Sequence, residues 1–268
     1  LFQVFNVADA SICVGAALVL LLGTLVFALT KPDKARPAGD PSRLRVMTYN
    51  IHEGVDTDGR LDLRALADEI RRQRADVVML QEVGRGSLVS GTTDVGVWLS
   101  RELGMHLIWG PAADGQFGNA ILTSRRVLSS GSARMPKGDW SQVRGYVWAR
   151  LAVGDRAVYV WSTHLDGGDR SRERQREIMA LLRAWGGAPR TVFGGDMNSG
   201  PGSAEMSRFL DGTGLRSSAL GDYGPTTADG RKVDWILGTD DLVFSDHEVH
   251  PSGASDHYPV AVTVRLGH

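Results

Sequence analysis

One cysteine in 268 residues, Cys13, has no second cysteine to pair with. A disulfide framework and a cysteine-based metal site are both excluded. Charge imbalance is missing too: 30 Lys and Arg stand against 31 Asp and Glu, a net of −1. In the first 40 residues Asp9, Asp33 and Asp40 cancel Lys31, Lys34 and Arg36, so the remainder also carries −1. A near-neutral domain supplies no field for tight, sequence-independent binding to nucleic acid. No G-x-S-x-G elbow occurs, so serine nucleophile chemistry has no support. Walker A, H-E-x-x-H and G-x-G-x-x-G motifs are absent as well.

Charge is lacking altogether from residues 10–30, ASICVGAALVLLLGTLVFALT. Those 21 positions match the roughly 20 that a helix needs to cross the hydrocarbon core. The basic n-region and shorter apolar core of a signal peptide are not there. Residues 1–30 therefore read as one transmembrane segment and 31–42, KPDKARPAGDPS, as a Pro-rich polar linker. Lys31, Lys34 and Arg36 follow the apolar run and no basic residue precedes it, which places the next domain on the cytoplasmic side.

Residues 4–21, VFNVADASICVGAALVLL, resemble the last transmembrane segment of lipoprotein signal peptidase, an aspartyl enzyme of the bacterial inner membrane. Asp9 falls where that family has one of two catalytic aspartates. The resemblance implies a bacterial-type inner membrane. The partner aspartate would precede Leu1, and one carboxylate cannot share a proton with a missing twin. No peptidase activity is expected of this segment alone.

From Leu44 onward short apolar runs alternate with helical stretches. RLRVMTYN, ADVVMLQEV, HLIWG, NAILTS, GYVWARLAV, RAVYVWSTHL, RTVFGGDMN, KVDWILGT, LVFSDHEVH and YPVAVTVRL read as strands. LDLRALADEIRRQ places Leu63, Leu66, Ala67 and Ile70 on one face of a helix. VGVWLSREL and SRERQREIMALLRAW read as two more, and the basic run DRSRERQRE as a solvated helix face. Many strands with few helices point to two packed sheets with helices outside.

The strand ends share a chemistry. The apolar runs stop at Asn50 and His52, at Gln81-Glu82, at Ser162-Thr163-His164 and at Gly195-Asp196-Met197-Asn198. Ser255-Asp256-His257 stands just before the last strand. Any one of these is equally well a turn or a cap, but five in one chain converge on a site. Glu82, Asp196 and Asp256 are hard oxygen donors that favour Mg²⁺ or Mn²⁺ over zinc. His164 and His257 can neutralise a phosphate or move protons near neutral pH. Carboxylates on a hard cation with histidines beside them suit hydrolysis of a phosphate ester.

In order and spacing, TYNIH, LQE, GNAIL, STHL, GDMNS, VDWIL and SDHYPV look like the endonuclease/exonuclease/phosphatase superfamily, over residues 43–266 of the domain 43–268. The resemblance implies a four-layered α/β sandwich, two packed mixed sheets flanked by helices, with the site at one rim and one essential divalent cation. It implies that Glu82 is the main metal ligand, with Asn50 shaping that site and Asp256 beside the metal. Asp196 would align or deprotonate the attacking water, Asn198 would contact the phosphate and His257, oriented by Asp234, would hold it. His164 would be a second phosphate contact or a proton donor. Asn119 and Arg144 match substrate-contact positions, Asn119 reading equally well as the end of a loop. Gln142 stands where an acid is common.

Substrate is not fixed by fold. Near-neutral charge, the apolar segment and the lack of a long basic insertion favour a lipid or small phosphodiester. The region GRGSLVSGTTDVGVWLSRELGMHLIWGPAADGQFGNAILTS also looks like the C-terminal domain of GPI-lipid-remodelling membrane proteins. A DNA nuclease is the competing enzyme, and a non-catalytic phosphate-binding module is the competing class. No obligate protein partner is evident in the sequence. Of the tryptophans, Trp98, Trp109, Trp140, Trp148, Trp161 and Trp185 are candidates for core or for a membrane-facing surface.

Overall fold

The computed structural model describes residues 40–138, 142–219, 221 and 224–267. The apolar segment 10–30, the signal-peptidase-like stretch 4–21 and most of the linker lie outside them. Among the described residues no helix is long and apolar enough to cross a membrane.

Strands β1 (Arg43–Asn50), β2 (Val77–Gly84), β3 (His106–Ala112), β4 (Phe117–Thr123), β11 (Leu242–Val249) and β12 (Val260–Leu266) form one sheet, in the order β11-β12-β1-β2-β4-β3. The other holds β5 (Val127–Arg134), β6 (Gly145–Val153), β7 (Arg156–His164), β8 (Thr191–Asp196), β9 (Leu215–Ser217) and β10 (Asp234–Thr239), in the order β5-β6-β7-β8-β10-β9. Each sheet has one parallel pair, β1/β2 and β7/β8. Helix α1 (Leu63–Gln73) crosses over between the first pair, and α3 (Ser171–Trp185) between the second. Helices α2 (Val95–Leu103) and α4 (Ala204–Leu210) complete the outer layers.

Alternation along the strands builds three cores. Val46 of β1, Val77 and Met79 of β2, Val158 and Val160 of β7, Val192 of β8 and Ile236 of β10 meet between the sheets. Met47, Tyr49, Val78 and Leu80 face the other way and cover Leu66 and Ile70 of α1 and Leu99 of α2. Trp161, Phe193 and Leu237 pack against Ile178, Leu181 and Trp185 of α3 and Met206 and Phe209 of α4. Helix, sheet, sheet and helix thus stack as four layers. The helices begin where sequence dictates: Asp62 accepts from the Ala65 amide and Asp94 from the Val97 amide, capping α1 and α2.

One reading of the sequence is corrected. The basic run of α3 is not wholly solvated, because Arg174 is buried and ion-paired at 2.9 Å with Glu205 of α4. The core reading of the tryptophans agrees with the structure: every described one packs in or against a core, Trp98 of α2 and Trp109 of β3 in one outer layer, and Trp148, Trp161, Trp235 and Trp185 of α3 in the other. Their large apolar area closes the outer layers.

Candidate active site

The inward-facing parity of the strands ends in polar side chains. On β1 the inward series is Val46, Thr48, Asn50; on β7 it is Val158, Val160, Ser162, His164; on β8 it is Val192, Gly194, Asp196. The pleat that buries the valines carries Asn50, His164 and Asp196 to one end of the inter-sheet core. Register completes the row. His164 pairs with Asp196 across β7/β8, and Asp234 pairs with Asp196 across β8/β10.

Glu82 breaks the parity rule. Strict alternation would send it outward with Val78 and Leu80. Between the β2/β4 pairs Leu80–Ala120 and Val83–Gly118, the residues Gln81 and Glu82 together face Asn119 alone. This bulge, with Glu82 in the left-handed region at φ 53°, turns its carboxylate to the rim. Asn198, His52 and Glu53 also hold left-handed backbone, at φ 46°, 45° and 52°. Such strain gathers at sites that use it. Gln81 points inward and bonds Ser162 of the facing sheet at 3.0 Å, locking the sheets together beneath the rim.

Asn50 is the hinge of the constellation. Its Nδ2 donates to Glu82 Oε1 at 3.1 Å and to Asp196 Oδ2 at 3.2 Å. Its Oδ1 accepts from the His52 amide, so β1 ends at Asn50 and His52 lies in a short 3₁₀ turn beyond it. Asp196 is fully enclosed: Oδ1 accepts from the Asn198 amide at 2.8 Å, and Oδ2 lies 3.4 Å from His164 Nε2 and 3.6 Å from His257 Nε2. Burial, and then the neighbouring Asp234, raise its proton affinity well above that of an ordinary carboxylate. His257 meets Asp234 at 2.8 Å through Nδ1. Burial alone would lower the His257 pKa, but the Asp234 charge and hydrogen bond outweigh it and push it up to about 9. The SDH loop is pinned in place: Ser255 Oγ donates to the Asn50 carbonyl and accepts from the His257 amide.

His164 behaves oppositely. Burial, then the charges of Arg144 and His257, hold its pKa well below the usual value. The ring is neutral, with Arg144 Nη1 3.1 Å from Nδ1 and Asp196 on its Nε2 side. The Asn198 amide lies 3.0 Å from that nitrogen and donates to the Leu165 carbonyl. Arg144 is itself buried, its Nε 3.9 Å from buried Asp166.

Of the residues expected from sequence, Asn50, Glu82, His164, Asp196, Asn198, Asp234, His257 and Arg144 form one connected network. Asp256 stands at its edge, half exposed and 3.8 Å from His52. Asn119 is buried opposite the bulge with its amide committed to the Gly145 carbonyl at 2.8 Å. Sequence reasoning missed Asp166, although it lies two residues beyond His164 in THLD. It also missed Ser87, whose hydroxyl bonds Glu53 at 2.5 Å.

A hard divalent cation fits this donor set. Glu82 offers a carboxylate about a quarter exposed, and its Oε2 makes no hydrogen bond among the described residues. Asp196, Asp234 and His257 also present ligand atoms within 4.8 Å of one another, but Asp234 is committed to a cationic His257 at 2.8 Å, which leaves Glu82 as the open carboxylate. Two buried atoms of the network, Arg144 Nε and Asp234 Oδ1, have no hydrogen-bond partner. Buried polar groups left so cost about 1–3 kcal/mol each, so orphans at a site mark where water, ion or substrate completes the bonding.

The sequence profile of the Endonuclease/Exonuclease/phosphatase family matches residues 47–257. The chain belongs to this family. The matched span runs from β1 to the SDH loop and so contains every member of the network. Family relatives of known structure share the fold at low identity. An endonuclease/exonuclease/phosphatase from Beutenbergia cavernae superposes with TM-score 0.74 and 23% identity, over 84% of this chain and 72% of that one. The human Nocturnin catalytic domain, with a bound sulfate anion, gives 0.69 and 19%, over 85% and 94%. A mannosyl-6-phosphatase from Bacteroides thetaiotaomicron gives 0.66 and 16%, over 83% and 100%. Among curated proteins, Protein cwh43 of Schizosaccharomyces pombe is 24% identical over 176 residues, 65% of this chain. The chain spans only 18% of that relative's length.

Proposed function

We propose that this domain is a divalent-metal-dependent phosphodiesterase that uses water as nucleophile and favours a lipid or small phosphodiester. The observation that carries it is Asp196. A buried carboxylate of raised proton affinity, set between two imidazoles of opposite charge state, is a base poised for neutral pH.

Glu82 and Asn50 would hold Mg²⁺ or Mn²⁺, with Asp256 beside them. Such an ion, when bound, polarises a phosphoryl oxygen and offsets its charge. The other roles belong to the side chains. Asp196 orients the attacking water and takes its proton as the water oxygen bonds to phosphorus. His257, cationic through Asp234, faces the growing charge on the phosphoryl oxygens. The Asn198 amide and Arg144 fix the remaining oxygens. The bond from phosphorus to the departing alcohol breaks, and that oxygen takes a proton from cationic His257. The proton that Asp196 removed from the water, 3.6 Å away, restores the imidazolium. Neutral His164 serves as a second phosphate contact. Intact Asp196, Asn198, Asp234 and His257 argue against a non-catalytic binding module.

Near-neutral charge and the likeness to lipid-remodelling proteins support the lipid preference. The uncharged stretch 10–30, followed by three basic residues, supports anchoring to a bacterial-type inner membrane with the domain on the cytoplasmic side. The test is turnover of bis(p-nitrophenyl) phosphate, phospholipid vesicles and plasmid DNA by the same preparation. EDTA should abolish turnover and added Mg²⁺ should restore it; activity that persists in EDTA rejects the metal assignment.

A further inference from the structure

Beside the network opens a cavity of about 480 Å³, within the range of small-molecule sites. Glu82 and Arg144 belong to its wall, so it adjoins the position assigned to the phosphate. The rest of the wall, among the described residues, is Glu53, Ser87, Asp114, Gln116, Gln142 and Phe117, with Ala113. Two carboxylates, two carboxamides and a hydroxyl dominate it. Arg144 is 8% exposed, and its Nε, 3.9 Å from Asp166, makes no hydrogen bond.

The charges decide what enters. Glu53 and Asp114 lie in the same wall as Glu82, and among the described residues Arg144 is the one cation there. A substrate group carrying a second phosphate would meet like charge and be rejected. An acyl chain would strand the acids and amides without partners. Hydroxyl groups satisfy them: carboxylates and carboxamide oxygens accept from an alcohol, carboxamide nitrogens donate to it, and Phe117 supplies one apolar face for ring carbons. We infer that this cavity is a subsite for the uncharged, hydroxyl-rich alcohol of the phosphodiester, such as a cyclitol or sugar, with Glu53 and Asp114 excluding further phosphates. The inference rests on the phosphodiesterase reading and names its substrate class.

The test uses the full chain with Mg²⁺ and p-nitrophenyl phosphodiesters whose second alcohol is inositol, inositol 4-phosphate or choline. The inositol ester should exceed the phosphorylated one in kcat/KM by at least about tenfold. In the Glu53→Gln, Asp114→Asn double variant that ratio should fall by about tenfold. The ratio is internal to each preparation, so the fraction of folded protein does not affect it. A wild-type ratio near one, an unchanged ratio in the variant, or preference for the choline ester would each overturn the subsite. Bis(p-nitrophenyl) phosphate carries none of these alcohols. If the wild type turned over the inositol ester poorly but this diester well, the subsite alone would fall; if it turned over neither, the phosphodiesterase reading would fall with it.

Discussion

Asp196 and Glu82 are both carboxylates at the rim, but their surroundings separate their roles. Asp196 is enclosed, and its oxygens are shared among Asn198, Asn50 and two imidazoles. Asp196→Asn should remove most turnover, about 10²–10⁴-fold, while leaving Mg²⁺ affinity close to wild type. Glu82→Gln should instead weaken the metal, and excess Mn²⁺ should restore part of the rate. Near wild-type kcat in both variants would place the chemistry elsewhere. Asp234 gives a sharper test because it acts through His257. Its charge holds the His257 pKa up to about 9, so the imidazole stays cationic below that pH and kcat/KM should fall as pH rises through it. Asp234→Asn removes that charge while the burial that opposes it remains. The alkaline limb should therefore move to lower pH by at least one unit. The same sign holds for stability: the contribution of His257 is fully present below about 6.5 and is lost as pH rises towards about 9. An alkaline limb unmoved in Asp234→Asn would break the assignment.

At the scale of elements, the site depends on how closely two sheets approach. A Cβ on Gly194 would lie 2.1 Å from Met79 Cε of the opposite sheet, so a larger residue there requires the Met79 side chain to move. Gly194→Ala should destabilise the domain by about 1–3 kcal/mol through overpacking. Met79→Ala opens space at the same point. In a thermal or urea unfolding series the double variant should therefore cost less than the sum of the two single changes. Strict additivity would show that Met79 is not what Gly194 avoids. The same feature explains what sequence could and could not reveal. Strands with inward valines and helices with one apolar stripe were legible, down to the ends of α2 at Val95–Leu103 and α3 at Ser171–Trp185. Strand β5, VLSSGSAR, was not: it is an edge with few apolar residues, and its alternation carries no burial signal. Helix α4 has seven residues and β9 three, too short for periodicity to speak. The convergence of Asn50, His164 and Asp196 at one rim was legible because they continue an inward parity. The orientation of Glu82 was not, because a bulge has no period, and Asp166 acts only through its place behind Arg144.

For the whole molecule the question is which polymer or surface the rim meets. The described chain enters at the start of β1 and the site lies at the other end of that strand. Arg172, Arg176, Arg183 and Arg208 gather along α3 and α4 rather than at the cavity of Glu82, and the chain carries −1 overall. A protein that neutralises several backbone phosphates loses DNA affinity steeply with salt, with a slope of about −0.9 per contact on a log–log plot. Glu53, Glu82 and Asp114 at the cavity oppose that mode of binding. DNA binding by residues 40–268 should therefore be weak at physiological salt. Tethering acts in the other direction: holding a catalyst at a bilayer converts encounter with a lipid into a local event at raised effective concentration. Turnover on phospholipid vesicles should therefore be higher for the full chain than for residues 40–268, and the two should match on bis(p-nitrophenyl) phosphate. The measurement is rate on vesicles, on the soluble diester and on duplex DNA at matched salt for both lengths of chain. Equal rates on vesicles would remove residues 1–39 from any role in reaching the substrate. Efficient nicking of DNA at physiological salt by residues 40–268, with no action on lipid, would establish the nuclease in place of the lipid phosphodiesterase.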